Sequence, residues 1–360
     1  MDWIRPESNK KNSKKYSLLH LPESLKRLFF RKVAISLIRP MIPSGTHPIE
    51  QGIYVLPTLE IHRLMDKIVQ IITDGAPGMI VYGRPRLGKT KATTFAVNYL
   101  PEVLEYQLPV FVADSKSYKV PSAEKFFRDM LTDFNFGFPT KKDEIVLRNQ
   151  IVSIMHQKAE QCAHRRVALI MDEAHKLTEW QYDCLIDIYN QLHRRNVRMT
   201  TISIGQEQLV DRRTFFLANS KTHIIGRFMP SEYRFKGITD EEEMAFVLQS
   251  YDESEFPVNS GWYYTRYYFP DAFDSGKRIA DFSKSLFNLF LEIRHEYGLS
   301  GRMVELPMEY LAFTVENAFK INGSNGMSTE WLSSDQWREA IQRSGYIESE
   351  IYMAIAKKAT

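Results

Sequence analysis

Gly83-Arg84-Pro85-Arg86-Leu87-Gly88-Lys89-Thr90 fits the pattern G-x-x-x-x-G-K-[ST] at every fixed position. Its flanks fit as well. Gly78-Met79-Ile80-Val81-Tyr82 is a short apolar run that reads as a buried strand, and the residues from Lys91 to Val97 continue as a helix. Gly83 and Gly88 let the backbone turn so that successive N–H groups face inward, a nest for a phosphate chain at a helix N-terminus. Lys89 reaches the β- and γ-phosphates as a point charge, and the Thr90 hydroxyl suits Mg²⁺. Residues 83–90, with Lys91 behind them, are therefore the expected binding set for ATP.

A second motif supplies the acid. Arg166-Val167-Ala168-Leu169-Ile170-Met171 is an apolar run that stops abruptly at Asp172-Glu173-Ala174-His175. Two adjacent carboxylates at the end of a buried strand are costly without a cation. A Mg²⁺ held by Thr90 and, through water, by Asp172 answers that cost, and Glu173 is then the base that activates the attacking water. The letters D-E-A-H do not make a helicase: 360 residues are few for two motor domains, and no second glycine-and-arginine motif set is visible.

Composition frames these motifs. With 44% hydrophobic residues the chain buries a substantial core, and two or three domains are expected. The most apolar N-terminal run, residues 28–38, is broken by Arg31 and Lys32, so neither a membrane span nor a signal peptide is expected. Cys162 and Cys184 are the only cysteines and lack metal-ligand spacing, which suits a reduced, cytoplasmic protein. Residues 1–40 hold ten Lys/Arg against three acids, a local net of +7 in a chain whose total is +3. Such an arm suits a polyanion or an acidic partner; a solvated terminus is the plain alternative.

Helical and strand periods alternate from Thr58, a plausible N-cap, onwards. Strands are expected at 78–82, 109–113, 167–171, 199–204 and 232–235, with helices between them. That order predicts an α/β fold, a parallel five-stranded sheet flanked by helices. Beyond residue 238 helices dominate, which predicts a smaller all-helical domain. The expected organisation is a basic extension and linker over 1–48, a nucleotide-binding core over 49–237, a helical lid over 238–345 with an aromatic-rich insertion at 251–278, and a tail over 346–360.

The order of elements suggests further site residues. Gln206 follows the fourth strand, at the sheet edge that opens onto the nucleotide, and is the candidate for contacting the γ-phosphate or the water; Ser203 is second. Arg227, just before the fifth strand, could reach a neighbouring subunit's site, where its planar fork suits transition-state charge. Arg212 and Arg213 compete for that role. Ser300-Gly301-Arg302 opens a helix with an arginine in its first turn. The helix dipole favours cations at the opposite end, so Arg302 reads as kept for the nucleotide.

Together the phosphate loop, the I-M-D-E-A-H strand, the I-S-I-G-Q strand end, the G-R-F arginine and the S-G-R helix start resemble an AAA+ ATPase. Within that class the chain is most similar to the TnsC/TniB regulators of cut-and-paste transposons, including CRISPR-associated ones. The Tyr54–Thr58 lead and the Ile204–Leu209 segment carry that finer likeness. The resemblance implies a protein that binds ATP, assembles into a ring or helical filament on double-stranded DNA, and links a target-selection protein to transposase subunits. Lys116 and Lys119, after the second strand, are then the candidates for DNA phosphate contact, with Arg194, Arg195 and Arg198 behind them. A helicase loader or initiator and a defence-type signalling NTPase are the alternatives. Nine aromatics lie in residues 251–273, either as a stacking or binding surface or as packing within their own domain, and the tail is either a docking helix or the last lid helix.

Overall fold

The computed structural model describes residues 38–104, 106–137, 143–299, 304–323 and 330–356. The basic arm falls almost wholly outside the described residues, and Arg302 lies outside them as well. In chain order the first elements are α1 (Pro48–Gln51), α2 (Leu59–Thr73), β1 (Gly78–Tyr82), α3 (Lys89–Val103), β2 (Val110–Asp114), α4 (Ala123–Asp133), α5 (Glu144–Glu160) and β3 (Arg166–Asp172). They continue with α6 (Glu179–Arg194), β4 (Arg198–Gly205), α7 (Gln208–Ala218), α8 (Thr222–Phe228) and β5 (Glu232–Arg234). The rest is helical: α9 (Glu241–Glu253), α10 (Tyr264–Tyr268), α11 (Pro270–Asp274), α12 (Ser283–Glu296), α13 (Met308–Asn322), α14 (Ser334–Arg343) and α15 (Tyr346–Ala356). Short 3₁₀ turns at Ala174–Lys176 and Ile279–Phe282 complete the series.

All five strands are parallel, in the order β2-β3-β4-β1-β5. Alternate residues face opposite layers, as the two-residue strand period requires. In β3, Val167, Leu169 and Met171 enter the core under α4–α8, whereas Ala168 and Ile170 enter the core under α2 and α3. Burial on both faces explains the unbroken apolar run of this strand. The register aligns Tyr82 with Gly205 and Met171 with Ser203, so the strand ends that carry the two motifs open onto one edge of the sheet. Side-chain caps set the helix starts: Thr58 accepts the Ile61 N–H at 3.1 Å and Asp143 accepts that of Val146 at 3.0 Å.

The helical region builds its own core from α9–α15, and the aromatic segment packs into it rather than forming a surface. Tyr264, Tyr267, Tyr268 and Phe269 are buried there, and Arg266 is tied to Asp274 and lies over Trp262. α15 joins the same core through Tyr346 and Ile347. Residues 41–48, expected as a linker, also dock here. His47 is fully buried, stacked on Tyr267 with ring centroids 4.5 Å apart and edge-on to Phe256, Tyr264 and Tyr268. Its Nδ1 accepts the Ile49 N–H, and the Arg39 guanidinium covers the outer face of Tyr267.

Burial, with a smaller push from the Arg39 charge, lowers the His47 pKa from 6.5 to about 4. The unfolded chain therefore binds a proton here before the folded one does. This contribution to stability is complete above pH 6.5 and is lost as the pH falls toward 4. Thermal melts should show a downward slope over that window in the parent that flattens in His47→Phe; parallel slopes would rule out His47 as its source.

Candidate functional site

The phosphate loop joins β1 to α3, and each glycine in it answers a different demand. Gly88 has φ +100°, the left-handed region that side chains avoid. Gly83 is required by space rather than by turning: a Cβ there would stand 2.4 Å from the Phe235 carbonyl. Lys89 is buried, and its Nζ donates to the carbonyls of Gly83 at 2.9 Å and Arg84 at 2.6 Å, which holds the ammonium across the mouth of the loop. Burial lowers its pKa, and the charges of Glu173 and Asp172 oppose that shift.

The two motifs meet. Thr90 Oγ1 donates to Asp172 Oδ2 at 3.0 Å, and Asp172 Oδ1 accepts the Glu173 N–H at 2.8 Å. Burial raises the Asp172 pKa against these hydrogen bonds, the sign of a carboxylate that a dication would relieve. A hydroxyl and a carboxylate oxygen this close suit Mg²⁺, which takes few protein ligands and keeps waters or phosphate oxygens for the remainder. Among the described residues no group of three or more His, Cys, Asp or Glu forms a dedicated metal site. Glu173 adopts φ +51°, and its Oε2 faces Lys176 Nζ at 3.0 Å and His175 Nε2 at 3.7 Å. The His175 ring accepts the Gln206 N–H through Nδ1 at 3.4 Å, joining the ends of β3 and β4.

These residues border a cavity of about 520 Å³ between the sheet edge and α13. Pro85, Arg86, Leu87, Gly88, Lys89, Thr90, Lys91, Asp172, Glu173 and Gln206 all line it. Arg84 does not, despite its place in the loop. Its guanidinium turns to Glu350 on α15, which also pairs with Arg294 on α12, and it donates to the Glu305 carbonyl at 3.3 Å. A separate cavity of about 640 Å³, lined by Arg84, Arg234, Arg294, Glu305 and Glu350, lies on that side. Arg86, at φ +65°, pairs with Glu309 on α13 at 2.7 Å.

Arg227 lies outside its own chain's cavity. α8 packs under the start of β1, with the Arg227 carbonyl 2.6 Å from where a Gly78 Cβ would stand, at the opposite end of that strand from the phosphate loop. Its Nη1 donates to the His223 carbonyl at 2.9 Å. Arg212, one of its competitors, donates to the His175 carbonyl at 3.0 Å, beside the acidic motif. Lys116 pairs with Asp129 at 3.2 Å, and Lys119 is exposed. Sequence reasoning missed the far end of the cavity, where Tyr54, Phe313 and Glu316 converge; Tyr54 and Glu316 are 262 positions apart, and no local pattern links them.

A phosphate loop facing an Asp-Glu strand end across a parallel sheet, followed by a helical C-terminal region, defines an AAA+ P-loop fold, and residues 72–212 match the family model described as AAA domain. The chain thus carries an AAA-type ATPase domain. A search of curated proteins finds no match. Among solved structures, the ORC2 protein of Aeropyrum pernix in its ADPNP–ADP complexes is similar at 13% identity and a TM-score of 0.55, over 83% of this chain and 71% of that one. The ADP form of the same protein is similar at 14% identity and a TM-score of 0.51, over 82% and 71%. No helix among the described residues is long and apolar enough to cross a membrane.

Proposed function

We propose that the protein is a DNA-associated AAA+ ATPase of the initiator or loader type, in which ATP bound between core and lid drives self-assembly on duplex DNA and hydrolysis reverses it. The observation that carries the ATP half is the contact of Thr90 with Asp172 beside Lys89 and Glu173 on one cavity. The likeness to a protein solved with ADPNP and ADP supports it. The DNA half rests on the motif resemblance and on Lys119 and Lys116 beyond β2.

In this reading Lys89 exchanges the loop carbonyls for phosphate oxygens, and Thr90, with Asp172 through water, would hold Mg²⁺. Such a dication would supply positive charge to offset that of the phosphates. Glu173 Oε2 gives up Lys176 for the attacking water and takes its proton, while Gln206 fixes the water or the γ-phosphate. Arg227 acts in a neighbour's site, and Arg302, outside the described residues, is the candidate for the nucleotide in its own.

Imaging of the protein with duplex DNA and ADPNP should show assemblies that need both, and Lys89→Ala should form none. Assembly by Lys89→Ala, or without nucleotide, would remove the switch from this site. Arg227→Ala should slow hydrolysis in the assembled state alone, and an equal loss in dilute monomers would end its role in trans. Regulation of transposition is the second reading, favoured by the Ile204–Leu209 resemblance; it requires a transposase gene beside this one, and a replication-gene neighbourhood would count against it.

A further inference from the structure

We propose that Glu316 reads the base, selecting a 6-aminopurine over a 6-oxopurine; the inference rests on the cavity being a nucleoside triphosphate site. α13 starts against the phosphate loop. The Glu309 N–H donates to the Arg86 carbonyl at 3.2 Å, and the Met308 Cβ is 3.7 Å from where a Gly88 Cβ would stand. Met308, Ala312 and Glu316 then follow at four-residue steps along the face that lines the cavity. Eight residues of helix rise about 12 Å, which carries Glu316 from the phosphate end to where a base lies in an extended nucleotide.

The carboxylate is fixed there. Tyr54 Oη donates to Oε1 at 3.0 Å and Lys320 Nζ donates to Oε2 at 3.1 Å, and the side chain is 10% exposed. Burial pushes the Tyr54 hydroxyl above its usual range, so it remains a donor. Gly52, at φ +66°, lies beside the carboxylate on the cavity lining, its Cβ position 3.6 Å from Oε1. Val55, Leu56, Ile61 and the partly exposed Phe313 supply apolar walls for the faces of a flat ring. Each carboxylate oxygen has a lone pair beyond its protein partner, and an ionised carboxylate accepts but never donates. It therefore pairs with the 6-amino group and repels a carbonyl oxygen in the same place, where a 6-oxopurine can offer it only the N1 proton, one ring position away.

The test compares equilibrium binding of ATP and ITP, which differ at that position, in the parent and in Glu316→Gln. The parent should bind ATP at least about 10-fold more tightly, the effect of one charge-assisted hydrogen bond set against one repulsion. Glu316→Gln, whose amide can donate as well as accept, should bring the two within about 3-fold. Because the readout is a ratio within one protein, a smaller folded fraction does not move it. A ratio unchanged in Glu316→Gln would overturn the assignment of Glu316 alone. Failure of the parent to bind either nucleotide would overturn the nucleotide site with it.

Discussion

Glu173→Gln is expected to bind ATP as the parent does and to hydrolyse it at least about 10²-fold more slowly. The substitution keeps the shape of the side chain and removes its capacity to take a proton. It leaves the neighbouring geometry intact, because Asp172 is held by the Thr90 hydroxyl and by the backbone N–H of residue 173, which any residue supplies. The ion pair with Lys176 is lost, but that pair is half exposed and contributes little to stability. Phosphate release and fluorescent-nucleotide binding, measured on the same sample, separate the two effects. Undiminished turnover would hand the base role to another group.

Glu350→Ala should cost about 3–5 kcal/mol of stability, the usual penalty for removing one partner of a buried ion pair. Glu350 is 7% exposed and serves two cations at once, Arg84 of the phosphate loop and Arg294 of α12, the latter also donating to the Tyr346 hydroxyl at 3.0 Å. Its loss removes the shared carboxylate from two largely buried guanidinium groups, leaving Arg84 with the Glu305 carbonyl and Arg294 with the Tyr346 hydroxyl. Glu339→Ala makes the matched control, since the Glu339–Arg343 pair is a solvated i,i+4 contact and should shift the melt by well under 1 kcal/mol. Equal melting of the two variants would show that the buried cluster is no more than decoration. A weaker affinity for nucleotide in Glu350→Ala is expected as well, because Arg84 sits one residue beyond the first loop glycine.

What the sequence disclosed and what it concealed divide along physical lines. The phosphate loop, the acidic strand end and the caps at Thr58 and Asp143 are local: neighbouring residues dictate their geometry, so a reading of neighbours finds them. The parallel sheet follows from alternating periods and from the unbroken apolar run of β3. The meeting of Arg84 with Glu350 and of Tyr54 with Glu316 joins residues 266 and 262 positions apart, and only the fold brings them together. The reason for Gly83 was likewise hidden, since the obstacle is the Phe235 carbonyl on another strand's extension. Residues 41–48 have a linker's composition, and only the rings that surround His47 reveal an anchor. Arg84 shows the same limit at the level of one side chain, for membership of a motif did not determine its direction.

The two walls of the base end, Leu56 on one side and the α13 face on the other, belong to the helical region's core, whereas the phosphate loop grows out of the sheet. One nucleotide would thus act as a pin through two bodies, its ring seated in one and its polyphosphate in the other. ATP and ADP share the ring and differ only at the opposite tip, so cleavage leaves the pin in place and changes what the tip can grip.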